Sequence, residues 1–376
     1  MLKICTIGIG NAGNQIADLA KSVKGIPGVA INSSEKDLTN VQYIPKLIVG
    51  DTKGAGKNRD TAKKFIREQC KNLLSQKPFI EMISEQDVVF VISSIGGGTG
   101  SGMAPMLTDI MSRKFPDVLF VIIGVYPPLK ESIAAQQNGL EYLKEVKDFL
   151  PNIAYMAYDN NRRSDLPTSE MMKEVNNEIV EHLDIIRGQY LYPTPYNSID
   201  EKDMVRILST PGRLAVYYID YFNEKDLDKA SIEEKLIDSI KAGSSNVELD
   251  RDKLIKRFGI VTNLSDKLNS MFNSGCPEIL ELIGEPVEAF EHIYINHNDD
   301  EINRVVLILS GLSIPDDRLT KIVQRIDDGL EELGRQKESS VLDDADMMQS
   351  VKELRGESSF GNKGDFDLDD LFAKYE

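Results

Sequence analysis

The sequence is poor in cysteine, histidine, positive charge and long apolar runs, and each shortage excludes something. Only Cys5, Cys70 and Cys276 occur in 376 residues. They are odd in number, far apart and without a C-x-x-C pair, which excludes a disulfide framework and a thiolate zinc site and suits a reduced, cytoplasmic setting. Lys and Arg total 44 against 61 Asp and Glu, a formal charge of −17. That balance excludes direct nucleic-acid binding by the bulk surface, and equally docking on an anionic membrane face. The longest apolar stretches, such as residues 118–125, fall far short of the roughly 18 residues that cross a bilayer. The opening run at residues 3–9 breaks at once on Gly8, Gly10 and Asn11, so it reads as a strand feeding a turn and not as a signal peptide. The histidines, His182, His292 and His297, accompany no Ser or Cys nucleophile motif, which removes acyl transfer. No spacing of His, Cys, Asp or Glu marks a metal site.

What is present is an ordinary globular balance, 41% hydrophobic and 28% charged, with length for about two domains. Strand-like runs at 3–9, 28–32, 46–49, 87–93 (DVVFVIS) and 118–125 (VLFVIIGV) alternate with helical spacing at 14–23, 61–74 and 104–114. Near-continuous Val/Ile runs separated by helices predict a parallel sheet covered on both faces, so residues 1–168 read as a doubly wound α/β nucleotide-binding domain. A long central helix follows at 169–190, with Met172, Val175, Ile179, Leu183 and Ile186 on one stripe. Runs at 214–221, 256–261, 292–296 and 304–312, interleaved with helical spacing at 231–242 and 265–272, predict a second α/β domain with a mixed sheet over 191–313. The short polar link 297–301 predicts an antiparallel hairpin between the last two strands. A C-terminal helix is expected over 314–336. Residues 337–376 hold 5 Lys/Arg against 11 Asp/Glu, so 6 of the 17 net negative charges lie in a Ser/Gly/Asp-rich tail expected to be flexible.

Three glycine-rich segments carry the chemistry. Gly8-Ile9-Gly10-Asn11-Ala12-Gly13 follows a strand and opens a helix, the setting of a dinucleotide fingerprint. An NAD-dependent oxidoreductase of the Rossmann type would place an acid at the end of the next strand, where this chain has Asn32. Lys53-Gly54-Ala55-Gly56-Lys57-Asn58 is not a Walker A loop, because Asp51 stands where that motif needs Gly and Asn58 where it needs Ser or Thr. It reads as a surface loop or as a second segment closing over phosphates. The specific signal is Gly96-Gly97-Gly98-Thr99-Gly100-Ser101-Gly102, directly after a buried strand and before a helix. Its backbone N–H groups, the Thr99 and Ser101 hydroxyls and the helix dipole suit a di- or triphosphate.

GGGTGSG in this position resembles the signature loop of the tubulin/FtsZ superfamily of GTP-dependent cytoskeletal polymers, and the resemblance continues in order over about residues 1–335. It implies GTP or GDP with Mg²⁺ as the bound nucleotide. Gly10, Asn11, Ala12, Gly13 and Asn14 match the first nucleotide loop, Asn32 the second, Gly54, Ala55, Gly56, Lys57 and Asn58 the third, and Gly96, Gly97, Gly98, Thr99, Gly100 and Ser101 the fourth. Glu131 falls in the ribose-contacting loop, Asn160 where guanine is recognised, and Met172 and Asn176 in the central helix where a stacking side chain precedes a base-pairing Asn. Met172 stands where division proteins carry an aromatic ring, so a thioether contact replaces stacking. Ser209-Thr210-Pro211-Gly212 and the acidic tail resemble the plasmid- and phage-encoded TubZ-like branch better than a cell-division polymer, which stays as the alternative.

Asp200 and Asp203 have two readings. Ser198-Ile199-Asp200-Glu201 fits an S-x-x-E capping box, and acids suit the first turn of a helix. The family resemblance instead implies catalysis: acids of one subunit reach the γ-phosphate held by the next, with Asn197 displaced by one position from the family's Asn. Head-to-tail self-assembly follows from that implication, with hydrolysis at the junctions. The tail's terminal FDLDDLFAKYE, with apolar anchors among carboxylates, fits a basic DNA-bound adaptor as partner. A polymer that binds nucleotide without turning it over is the remaining reading.

Overall fold

The computed structural model describes residues 1–221, 231–249, 254–297, 302–314 and 316–339. The strands are β1 (Ile4–Ile9), β2 (Gly28–Asn32), β3 (Lys46–Ile48), β4 (Val88–Ser94), β5 (Leu119–Tyr126), β6 (Ala154–Asp159), β7 (Gly212–Tyr221), β8 (Leu254–Ser265), β9 (Glu285–Asn296) and β10 (Asn303–Leu312). They form one sheet in the order β3-β2-β1-β4-β5-β6-β7-β10-β8-β9. The first half is the doubly wound parallel sheet that the apolar runs predict: β1, β4 and β5 are buried along almost their whole length. The second half is mixed, with β10 antiparallel to β7 and β8, and β8 parallel to β9.

The expected hairpin between the last two strands does not form. β8 lies between them, and the chain crosses it to reach β10. The physical reason is written in the two segments. Arg304 through Ser310 are continuously buried, as a strand paired on both sides requires, whereas β9 alternates between exposed and half-buried along Glu285–Phe290 and takes the sheet edge.

Helices α1 (Gly10–Lys24), α2 (Glu35–Leu38), α3 (Arg59–Leu73), α4 (Lys77–Ser84), α5 (Thr99–Lys114) and α6 (Ile133–Phe149) belong to the first half. α7 (Thr168–Ile186) is the central helix, followed by α8 (Glu201–Leu208), α9 (Ile232–Asp238), α10 (Asp266–Met271), α11 (Pro277–Ile283) and α12 (Asp316–Ser339). α7 buries Met171, Val175, Ile179, Leu183 and Ile186 against the parallel sheet, while Met172 is 47% exposed. The expected stripe is therefore correct except at its first member, where Met171 takes the core position and leaves Met172 free. The expected C-terminal helix appears as α12, which packs along α6. Of the acidic tail, residues 340–376 lie outside the described residues.

The polar face of α7 ties the two halves together. Arg304 of β10 forks onto Asp220 at 2.5 and 2.7 Å and reaches Glu181 at 2.6 Å, while Lys24 at the end of α1 meets Glu181 at 2.7 Å and Asp184 at 2.9 Å. Burial alone would raise the Glu181 carboxyl, but the hydrogen bonds from Lys24 and Arg304 outweigh it and hold the group down at about 2.

Candidate functional site

Strand order reverses between β1 and β4, the topological switch point at which ligands bind in open α/β sheets. Both strands deliver a glycine loop there. The two helices that follow begin earlier than their apolar spacing predicts: α1 starts at Gly10 and α5 at Thr99, so most of each loop is already a first helical turn. Neither helix has a side-chain N-cap or an acid in its first turn. Ser34, Asn58, Ser132 and Asp200 cap α2, α3, α6 and α8. Helices α4, α7 and α11 also lack a side-chain cap, but α7 and α11 carry Glu170 and Glu278 in the first turn and α4 has Pro78 there. Two uncapped N-termini side by side leave backbone N–H groups and two positive dipole ends unanswered, the arrangement that takes an anion.

The glycines of these loops divide into two kinds. Most are required because backbone passes backbone: a Cβ on Gly100 would stand 2.9 Å from the Ile9 carbonyl oxygen, one on Gly98 2.7 Å from the Lys57 Cα, and one on Gly10 2.9 Å from the Gly100 nitrogen. Gly10 also sits at φ +74°, where a side chain is strained. Gly13 lies directly on the Ile92 carbonyl, and Gly96 is backed by Pro127 and Ala135. Gly97 is different, because a Cβ there would meet nothing within 4 Å. It lines the open space of the cradle.

The remaining loops join the same cluster. Thr99 Oγ1 is 2.7 Å from Ser33 Oγ, and the Gly54 N–H donates to the Ser33 carbonyl at 2.9 Å. Lys57 Nζ lies 3.6 Å from Glu131, which puts the third loop beside the predicted ribose loop. Ser101 is fully buried and turns its hydroxyl back on the Gly97 carbonyl, so its part is to shape the loop. The Asn58 side chain accepts from the Thr61 N–H as the cap of α3. Asn14 and Asn32 are fully buried at the ends of the first and second loops, and both polar atoms of Asn14 and the amide nitrogen of Asn32 have no protein partner. Orphaned buried polar atoms at the rim of an anion cradle fit a nucleotide as their missing partner. Asn11 is exposed and accepts from Gln15 at 3.1 Å, and Ala12 is half-buried between the glycines.

Residues 3–162 match the family described as Tubulin/FtsZ family, GTPase domain. These residues are a tubulin/FtsZ-family GTPase domain. The tubulin-like protein CetZ of Pyrococcus horikoshii is 29% identical over 223 residues, 57% of this chain and 60% of that protein, so the match spans less than two thirds of the relative's length. In structure, the chain resembles TubZ of Clostridium botulinum phage c-st, with a TM-score of 0.70 at 20% identity over 88% of this chain and 99% of that one. It also resembles CetZ2 from Haloferax volcanii, a GTPγS-bound protofilament, with a TM-score of 0.70 at 18% identity over 89% of this chain and all of that one. At those identities the structural likeness carries the fold.

Two side chains that the sequence reading passed over hold the GTPase domain's cradle together. Asn138 of α6 donates its amide to the carbonyls of Lys57, Gly96 and Gly97 at 3.0, 3.2 and 3.3 Å, stapling the third loop to the fourth. Arg59, 4% exposed at the start of α3, donates to the Ser101 carbonyl at 3.0 Å and pairs with Glu141 and Glu145 at 2.7 and 2.6 Å. Of the residues expected to meet the base, Asn160 opens a short 3₁₀ turn (Asn160–Arg163) after β6, packed against α7, which carries Met172 and Asn176. Asn161 Oδ1 accepts from the Leu129 N–H at 3.3 Å, joining this turn to the Glu131 loop. Buried His182 is taken up by Tyr158 at 2.8 Å and stands in the core.

Asp200 and Asp203 are not in this cluster. They form a reciprocal capping box on α8, Asp203 N–H to Asp200 Oδ1 at 2.9 Å and Asp200 N–H to Asp203 Oδ2 at 3.2 Å. The box expected two residues earlier, from Ser198, is therefore corrected in register. α8 begins beside the other end of the sheet: Glu201 meets the Met1 amino group at 2.8 Å, and Asp200 shares a small cavity with Met1 and Leu2. β1 runs from there to Gly10. Its six residues put about 20 Å between the two acids and the cradle. No group of three His, Cys, Asp or Glu among the described residues could hold a metal ion.

Proposed function

We propose that this chain binds GTP in the β1/β4 crevice and hydrolyses it where two copies stack head to tail. The observation that carries the reading is the placement of cradle and acids at opposite ends of β1. One copy alone cannot bring them together, but a second copy stacked along the strand direction presents Asp200 and Asp203 to the first copy's crevice. Phosphoryl transfer needs charge stabilisation and a placed water more than covalent help. The N–H groups at Gly97 and at the starts of α1 and α5 would hold the phosphates, with Asn14 and Asn32 behind them. Glu131 would face the ribose, and Asn160, Met172 and Asn176 the guanine. The capping box uses one oxygen of each acid, which leaves the others to orient the attacking water. Mg²⁺ would enter on the phosphate oxygens, with no protein cage of its own.

Such a contact joins unlike surfaces and does not close, so it generates a filament. The GTPγS-bound protofilament of a similar protein supports that step. The work of the filament is assigned to plasmid or phage DNA segregation in the cytoplasm through a basic DNA-bound adaptor gripping residues 337–376. The support is the tail's charge and its apolar anchors. Light scattering with GTP, GDP and a non-hydrolysable analogue, run beside phosphate release, tests the core of the proposal. Scattering is expected with GTP and the analogue, with turnover per subunit rising with protein concentration. Turnover that is independent of concentration would overturn junctional hydrolysis.

A further inference from the structure

Resting on that nucleotide reading, we infer that Arg318 and Arg325 of α12 are positioning residues for the nucleoside half of the site, clasping the ribose and base loops together from behind. Arg318 forks onto Asp159, the last residue of β6, with Nε to Oδ2 at 2.6 Å and Nη2 to Oδ1 at 3.1 Å. The same Nη2 donates to the Pro127 carbonyl at 2.8 Å. One guanidinium thus holds the residue before Asn160 and the first residue of the loop that carries Glu131. Asp159 does a second job, accepting from the Asn161 N–H at 2.9 Å and so shaping the 3₁₀ turn that Asn160 opens. Two turns further along α12, Arg325 Nε donates to the Leu129 carbonyl at 3.3 Å.

Arg318 and Asp159 are 4% and 4% exposed, so solvent does not soften the pair. Fork geometry on a buried carboxylate fixes orientation as well as distance. The helix itself is seated without slack, since Gly329 presses on Ile133 at the start of α6, immediately after the Glu131 loop. The hydrogen bonds of both arginines go to Asp159 and to the loop after β5, and Arg318 reaches the fourth glycine loop only at second hand, through Pro127, which backs Gly96. The clasp therefore acts first on the nucleoside, and that difference between nucleoside and phosphate is what an experiment can read.

The probes are GTP and tripolyphosphate, competed against a fluorescent GDP on the full chain, with wild type, Arg318→Gln and Arg325→Ala. Arg325 is half-buried and holds one carbonyl, so its variant keeps the test open if Arg318→Gln does not fold. The expected result is a loss of about three- to thirtyfold in GTP affinity, carried by faster GDP release, with tripolyphosphate affinity unchanged. Arg318→Lys should recover only part of the loss, because an ammonium cannot fork. Parallel loss of both ligands would show a structural role only and overturn the inference, as would GTP affinity unchanged in Arg325→Ala and in folded Arg318→Gln. Wild-type protein binding tripolyphosphate but not GTP would overturn the nucleoside assignment itself, and the clasp with it.

Discussion

The two kinds of glycine in the fourth loop make opposite predictions under the same substitution. In Gly98→Ala the new methyl would meet the Lys57 Cα at 2.7 Å, its carbonyl carbon at 2.8 Å and the Asn58 nitrogen at 2.9 Å. All three are backbone, in a segment pinned by the α3 cap and by Asn138, so they cannot rotate away. Overpacking of that kind costs about 1–3 kcal/mol of folding stability. In Gly97→Ala the methyl meets nothing within 4 Å, and Gly97 carries no positive φ. The folded chain should therefore keep its stability within about 0.5 kcal/mol, while the methyl fills space assigned to phosphate. The assay is calorimetric unfolding with and without GTP. A ligand at 100 times its dissociation constant stabilises by about 2.7 kcal/mol, so wild type should show a clear GTP-dependent rise in melting temperature. Gly97→Ala should melt like wild type alone and lose most of that rise; Gly98→Ala should melt lower even without nucleotide. If Gly97→Ala kept the full rise, the open side of the loop would not be where phosphate sits, and the site would have to be rebuilt.

Other expectations follow from single contacts. Asp200→Asn keeps a side-chain oxygen for the α8 cap but not the carboxylate charge, so it should fold and assemble while phosphate release falls at least tenfold; wild-type turnover would remove Asp200 from the chemistry. Arg304→Met strands the half-buried Asp220 and half of the Glu181 pairing, for a cost at the lower end of the about 3–5 kcal/mol expected for a broken buried pair, read by chemical denaturation. Burial lowers the His182 and His292 pKa values below 6.5. The unfolded chain then takes up protons that the folded chain refuses, so these groups should erode stability as pH falls below about 6.5, and His182→Gln should flatten that slope in melts at pH 5 to 7. Deleting residues 340–376 should leave GTP turnover intact and abolish capture of a basic adaptor; undiminished capture would detach the tail from that role.

How much of this could be read from residues depends on how far apart the partners stand. The strand–glycine–helix segment proposed as the phosphate cradle was legible because its information is local: a buried strand, then glycines, then a helix, all within about fifteen residues of chain. Even so, composition could not separate the glycines that approach backbone from the one that faces open space, since the tightest approach at Gly98 is to Lys57 and at Gly100 to Ile9, both on other loops. The parallel half of the sheet was legible in its unbroken Val and Ile runs except at β6, whose AYMAYD carries no such run. The order of the last three strands was not, because a short link suggests adjacency and only burial on both faces of β10 reveals the strand inserted between. Asn138 and Arg59 gave no sequence signal, as an Asn or Arg at a helical position is ordinarily a solvated side chain. The Arg318–Asp159 fork, 159 residues apart, lies beyond any local pattern. Its logic shows only once β6 is in place: Asp159, directly before Asn160, is an acid at the end of a buried strand, a position where an unpaired charge is costly. A buried carboxylate there calls for a cation from elsewhere in the chain, and the C-terminal helix supplies it.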